Sequence, residues 1–423
     1  MIFWGRGQSR ARGQALAGKR ADRPCAPRFL FVTIALLAGC GSHPIDIIVR
    51  ADAGDPCAAL GASECAADTQ DGCSLQPNPA GCRSDDPACG AGSCTSGDPF
   101  VRRSGEALFL HGKPFSFVGT VSWGLAWNDN GCQVAGYASQ ADALGPSFDE
   151  LATMQVSVLR VWAFQSYAGP SGSDYSHFDR LLVAARAAGV RLLPVLENMH
   201  ADCTSGGARD DAWFTSGYKS PYGNYALSYR DYVAGLVAHF RDEPTILGWE
   251  LLHEASAQQF SALDAFVDDM TSLVRRNDPN HLLAVGLNDG DAPATSTDGA
   301  PSNYFKLQNR SAVDLVDVQD FSAPDEPLPA QNALCRSIAH TLGKVAFVGA
   351  AGVKTTDSSS AALKVRATQI ENKLNAAHAA GFRGFLAYDY TPRWTIPLYE
   401  FDARPEEPLA GAKGVLARHA ASY

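Results

Sequence analysis

From Phe100 to the end of the chain, short runs of Val, Ile, Leu and Phe alternate with longer stretches of mixed polarity. The runs predict strands at Phe115 to Val121, Val158 to Trp162, Arg191 to Leu196, Ile246 to Glu250, Leu282 to Gly286, Leu315 to Asp320, Val345 to Gly349 and Gly384 to Asp389. They are apolar along most of their length rather than alternating, the pattern of strands covered on both faces. The stretches between them carry stripes of helical spacing: Phe178, Leu181, Leu182 and Ala185; Tyr225, Tyr229, Tyr232, Leu236 and Phe240; Leu263, Phe266, Val267, Met270 and Val274. Such spacing gathers apolar side chains on one helix face. Eight strand and helix pairs predict an α/β fold, a (β/α)8 barrel over 95–423. An open doubly wound sheet is the alternative, but it announces a Gly-rich phosphate turn after its first strand, and Gly119-Thr120-Val121-Ser122-Trp123-Gly124 is not one. In a barrel, the carboxyl ends of the strands carry the function.

The N-terminal part has another texture. Basic residues lead into Phe29-Leu30-Phe31-Val32-Thr33-Ile34-Ala35-Leu36-Leu37-Ala38, too short to span a bilayer as a helix and read as an export signal. The run ends Leu37-Ala38-Gly39-Cys40, which resembles the lipobox of bacterial lipoproteins. That resemblance implies a signal over 1–40, acylation of Cys40 and anchoring at the outer membrane or cell surface. A linker over 41–56 then precedes a segment, 57–94, that holds Cys57, Cys65, Cys73, Cys82, Cys89 and Cys94, six of the eleven cysteines. Its Ala, Gly, Asp, Ser and Pro background cannot build an apolar core, so three disulfides are the expected scaffold, in any of fifteen pairings. Zinc is the lesser reading, since the segment has no Cys-x-x-Cys pair and no histidine. It is expected to act as a spacer, a small wall- or sugar-binding module being the alternative.

The 423 residues are 46% hydrophobic, enough for one large core. The net charge of -10 is spread without a long acidic run, and basic residues cluster in the first 28 positions, which argues against a nucleic-acid partner. No cofactor or metal is expected, and the chain is read as a monomer. Asn288-Asp289-Gly290-Asp291 has some look of a calcium loop but lacks the remaining ligands, so a plain turn is expected. Cys132 and Cys203 lie on two predicted strand-to-helix loops and could pair, leaving Cys335 as the odd thiol.

The second strand ends Leu159-Arg160-Val161-Trp162-Ala163-Phe164, and the fourth ends Trp249-Glu250-Leu251-Leu252-His253-Glu254. With Phe100-Val101-Arg102-Arg103, Leu110-His111-Gly112-Lys113-Pro114-Phe115 and Asp389-Tyr390, these motifs make the chain resemble a family 5 glycoside hydrolase, the endo-β-1,4-mannanase branch above all. That resemblance implies hydrolysis of O-glycosyl bonds in a β-linked hexose polysaccharide, with Glu254 as acid/base. A carboxyl group walled by Trp249 and other apolar groups is expected to have its proton affinity raised, as a general acid requires. Trp123, Trp162, Trp249 and Tyr388 are the expected sugar-facing rings, with Trp127, Trp213, Tyr218, Tyr222 and Trp394 also on or near the loops.

The departures from the family bear on chemistry. His253 stands where the family has the Asn that binds the sugar's 2-hydroxyl. Ser322-Ala323-Pro324 replaces its sixth-strand His-x-Tyr, and Tyr388 its eighth-strand Trp. Ala350, in Gly349-Ala350-Ala351-Gly352, occupies the place of its nucleophilic Glu. A glycosidase of this type needs two carboxyl groups flanking the bond. Arg160, whose family counterpart lies close to the nucleophile, also needs an anionic partner. The expected replacement is Glu197, at the end of the third strand, then Asp320 on the sixth, with Asp389 on the eighth also unassigned; Glu250 is expected to point into the barrel or support its neighbour. A separation from Glu254 of about 5 to 5.5 Å would imply retention, and roughly 6.5 to 9.5 Å inversion. Two functions are weighed: a hydrolase working through Glu254 and a replacement carboxylate, or a glycan-binding pseudoenzyme. An empty-clefted structural lipoprotein is the weakest alternative.

Overall fold

The computed structural model describes residues 73–76, 93–96, 98–127, 132–133, 137–288, 302–355, 357, 359–391 and 412–420. The export signal, Cys40, most of the Cys-rich segment, the 289–291 turn and Trp394 lie outside them. Within that segment Cys73–Gln76 pairs antiparallel with Ser93–Ser96.

Eight parallel strands close into a barrel: β1 (Phe117–Val121), β2 (Val158–Trp162), β3 (Arg191–Val195), β4 (Gly248–Glu250), β5 (Leu282–Ala284), β6 (Leu315–Asp320), β7 (Val345–Gly352) and β8 (Gly384–Tyr388). They pair in chain order, and β8 meets β1 to complete the circle. This is the (β/α)8 barrel expected from the pattern. The helices include α1 (Gln140–Thr153), α2 (Ser176–Ala187), α3 (Asp211–Thr215), α4 (Tyr229–Phe240), α5 (Phe260–Asn277), α6 (Asn303–Gln308), α7 (Ala330–Thr341), α8 (Ser360–Ala379) and α9 (Ala412–His419).

The stripes face the barrel. Phe178, Leu181, Leu182 and Ala185 of α2 are buried, as are Leu263, Phe266, Val267, Met270 and Val274 of α5. Helix α4 begins later than its stripe because Ser228 caps it, its side chain accepting from the Asp231 N–H, so Tyr225 belongs to the loop.

Six strand boundaries differ from expectation: β3, β5 and β8 end early, at Val195, Ala284 and Tyr388, β4 starts late, at Gly248, and the first and seventh strands differ through their pairing. Lys113–Phe115 is not part of the first barrel strand; it closes an antiparallel sheet with Arg102–Ser104 and Ala107–Leu110, joined through the His111-Gly112 turn. The last strand pair of that sheet turns back tightly enough to need positive φ at both residues. The seventh strand runs on to Gly352, three residues past its predicted end, because Gln319 and Asp320 of β6 still pair with Ala350 and Ala351.

Candidate active site

The carboxyl ends of β3, β4 and β5 meet through backbone bonds. The Leu196 N–H donates to the Glu250 carbonyl, and the His253 N–H to the Glu197 carbonyl at 2.8 Å. The Met199 N–H in turn donates to the His253 carbonyl, and the Ala255 N–H to Gly286. These bonds hold Glu254 between two fixed neighbours with φ +60, a left-handed conformation that a non-glycine residue adopts at a cost. Strain of this kind marks the place as specially built.

Glu254 shares that place with two histidines. Its Oε2 lies 2.7 Å from His200 Nε2, and its Oε1 3.9 Å from His253 Nε2. His200 arrives on a tight loop after β3: Asn198 accepts from the His200 N–H through its side-chain oxygen and donates through its amide nitrogen to the Asp202 carbonyl. The same loop is pinned by a disulfide between Cys132 and Cys203, with Cα atoms 5.5 Å apart. Cys335 lies buried in α7, outside that bond.

The electrostatics oppose the expectation for Glu254. Burial alone would raise its proton affinity, but the hydrogen bond from His200, the positive charges of His200 and Arg160, and that of His253 once acid protonates it, outweigh burial and lower the pKa to about 2. His200 is correspondingly raised by its bond to Glu254, against the effect of burial. Near neutral pH, Glu254 is therefore an anion with no proton to give. Trp249, expected to wall it, is elsewhere. Its fully buried indole donates to Asp278 Oδ2 at 2.6 Å and packs against His281, which puts the ring among the helices rather than in the mouth.

Arg160 is also fully buried, and its partners differ from those expected. Its Nε donates to Glu250 Oε2 at 2.9 Å, its Nη2 to Glu250 Oε1, and its Nη2 lies 3.6 Å from Asp317 Oδ2. Burial works against the guanidinium's charge, yet the two carboxylates raise its pKa. Neither Glu197 nor Asp320 plays this part. Glu197 pairs with Arg209 at 3.1 Å and accepts from Tyr222 Oη and the Asn198 N–H. Asp320 accepts from Lys373 Nζ of α8 at 2.8 Å and from the Ser322 hydroxyl. Asp389 accepts from the Trp123 indole at 2.9 Å and from Thr391. Each is committed to holding a neighbouring element.

Arg160 also sets the tautomer of His253. Its Nη2 lies 3.2 Å from His253 Nδ1, and a guanidinium only donates, so Nδ1 accepts and the ring hydrogen sits on Nε2, toward Glu254. Burial and the Arg160 charge lower the His253 pKa to about 3, so the ring is neutral and can donate to a sugar hydroxyl. Trp162 packs 5.0 Å from the His253 ring and lies beneath Arg160.

The remaining aromatics divide. Trp213, Tyr218 and Tyr222 are drawn into helix packing with Arg209 and Phe266. Tyr388 meets the exposed Phe321 edge to face at 5.2 Å across the ends of β8 and β6. Sequence reasoning missed His200, which no spacing announces, and Asp317. The latter had a signal: an acid inside the otherwise apolar Leu315-Val316-Asp317-Val318 run.

Among the described residues, no group of three His, Cys, Asp or Glu side chains is arranged to hold a metal ion. No helix of the described residues is long and apolar enough to cross a membrane.

No protein-family model matches the chain. It is 29% identical over 229 residues to mannan endo-1,4-beta-mannosidase 2 of Oryza sativa subsp. japonica, covering 47% of this chain and 49% of that protein. It is 29% identical over 267 residues to the probable mannan endo-1,4-beta-mannosidase C of Aspergillus terreus, covering 53% and 64%. The chain thus spans about half to under two thirds of these relatives. The endo-1,4-beta-mannanase structure from Rhizomucor miehei superposes with a TM-score of 0.58 at 16% identity, over 76% of this chain and 99% of that one, a likeness of fold. In fold and in sequence, this chain is similar to the endo-β-1,4-mannanases of glycoside hydrolase family 5.

Proposed function

We propose that this protein is a mannanase-like, carbohydrate-active barrel that engages a β-linked hexose polysaccharide at its mouth. Glu254 and the His253 N–H meet the sugar's polar edge, with Trp162 and Tyr388 as neighbouring rings. One observation carries the reading: Glu254 and His200 reach solvent, with 27% and 50% of their side chains exposed, at the strand end where barrel proteins place their ligands. The names of the relatives make β-1,4-mannan the first polysaccharide to try.

Between holding and cutting, the geometry favours holding. Attack by a seventh-strand carboxylate needs one at position 350, and Ala350 is a buried methyl group. Its absence also removes the negative charge that would keep a proton on Glu254. The hydrolytic reading is favoured by the relatives, which are named as mannosidases, and by the accessibility of Glu254. In that reading water rather than a side chain attacks, giving its proton to the Glu254 carboxylate, and the departing oxygen takes a proton from His200 or solvent.

The test is incubation with mannohexaose and cellohexaose, read by calorimetry and by product chromatography. Affinity without products is expected, with Glu254→Gln changing affinity alone. Products that disappear in Glu254→Gln would establish hydrolysis instead, and neither affinity nor products would sink both readings.

A further inference from the structure

Arg160 sits in the barrel with no exposed side-chain surface, and a guanidinium there needs anionic charge around it. Glu250 covers one side through two contacts. On another side stands Asp317 of β6, 1% exposed. Asp317 occupies space that belongs to β7: a Cβ on Gly349 would lie 1.8 Å from Asp317 Oδ1 and 2.6 Å from its Cγ. A side chain at 349 would have to displace that carboxylate from where it stands. The next residue is Ala350, where the resemblance implies a carboxylate, and the pairing of β6 with β7 shifts register at this level, between Val318 and Gln319.

We infer that Asp317 replaces the carboxylate β7 lacks, as a counter-charge and not as a nucleophile, and that Gly349 admits it. Asp317 is a positioning residue. It steadies Arg160, whose Nη2 also reaches His253 Nδ1, and so keeps the His253 Nε2–H directed at the mouth. The negative charge has moved one strand over and out of contact with solvent. This holds whichever saccharide the mouth takes, and whether or not a bond is cleaved.

Two substitutions test it, Asp317→Asn and Ala350→Glu, singly and together in the full chain. Asp317→Asn removes charge from a buried cluster, and Ala350→Glu adds a carboxylate at the β7 position where the resemblance implies one, while Arg160 is already neutralised. Each alone is expected to lower the melting temperature. Combined, they exchange one acid for another, and the double variant is expected to melt about 5 °C or more above Asp317→Asn. Should Asp317→Asn fail to accumulate folded, recovery of folded protein in the double variant is the same result. Destabilisations that simply add, or no recovery, overturn the inference. The His253 tautomer, read from its ring 15N shifts, separates positioning from bulk stability. It is expected to be Nε2–H in the wild type and the double variant and mixed in Asp317→Asn, and an unchanged ring in Asp317→Asn removes the positioning role.

Discussion

Replacing Glu197 with Gln distinguishes a support for the mouth from a reacting group. Glu197 and Arg209 are 3.1 Å apart with no exposed side-chain surface on either. Glutamine keeps the shape and one carbonyl oxygen for the Asn198 N–H or Tyr222 Oη, and removes the charge. Arg209 is then left with neutral acceptors, the Gly207 carbonyl and, each at 3.0 Å, Thr204 Oγ1 and the Ser205 carbonyl, and with the rings of Tyr222 and Trp213 at 4.6 and 5.4 Å. Breaking a buried ion pair by removing one partner costs about 3 to 5 kcal/mol. The surviving acceptors and rings favour the lower end, about 3 kcal/mol. For a domain of this size that corresponds to a fall of roughly 5 to 10 °C in melting temperature. The assay is thermal and urea unfolding beside mannohexaose titration, with loss of stability and saccharide affinity within about twofold of wild type as the expected result. Stability within about 0.5 kcal/mol of wild type, joined to lost affinity or turnover, would refute the structural assignment and return Glu197 to the chemistry.

The His200 and Glu254 pair should make stability depend on pH in a bounded way. His200 is raised above its ordinary 6.5, so its share is complete below 6.5 and lost as pH rises through its folded value; Glu254 is depressed from 4.5 to about 2, so its share is complete above 4.5 and lost as pH falls toward 2. The difference between wild type and His200→Gln is therefore expected to peak between pH 4.5 and 6.5, and, with His200 half exposed, to stay under about 1 kcal/mol; a difference that is flat from acid to alkaline pH contradicts it. At the other end of the chain, we propose export and lipid anchoring through Cys40. Radiolabelled palmitate should enter the wild type and not Cys40→Ser, and equal labelling of both refutes the lipobox reading.

The alternation of apolar runs and helical stripes was enough to specify the barrel, because strands covered on both faces must be apolar and helices packed on them must carry a stripe. The position of Glu254 followed from its place just beyond a strand, and the absence of an acid at Ala350 was visible in the chain itself. Which carboxylates answer Arg160 was not. Glu197, Asp320 and Asp389 lie at strand ends as Glu254 does, yet Arg209, Lys373 and Trp123 draw them into other bonds. Asp317 lies far from Arg160 in sequence and meets it only because the barrel closes and Gly349 leaves space. The proton affinity of Glu254 was likewise beyond sequence reasoning. Apolar neighbours along the chain suggested a rise, while the fold brings a histidine from another strand's loop within 2.7 Å and reverses the sign. Periodicity is local and survives in one dimension, whereas charge pairing depends on distance in three, and the fold alone sets that distance.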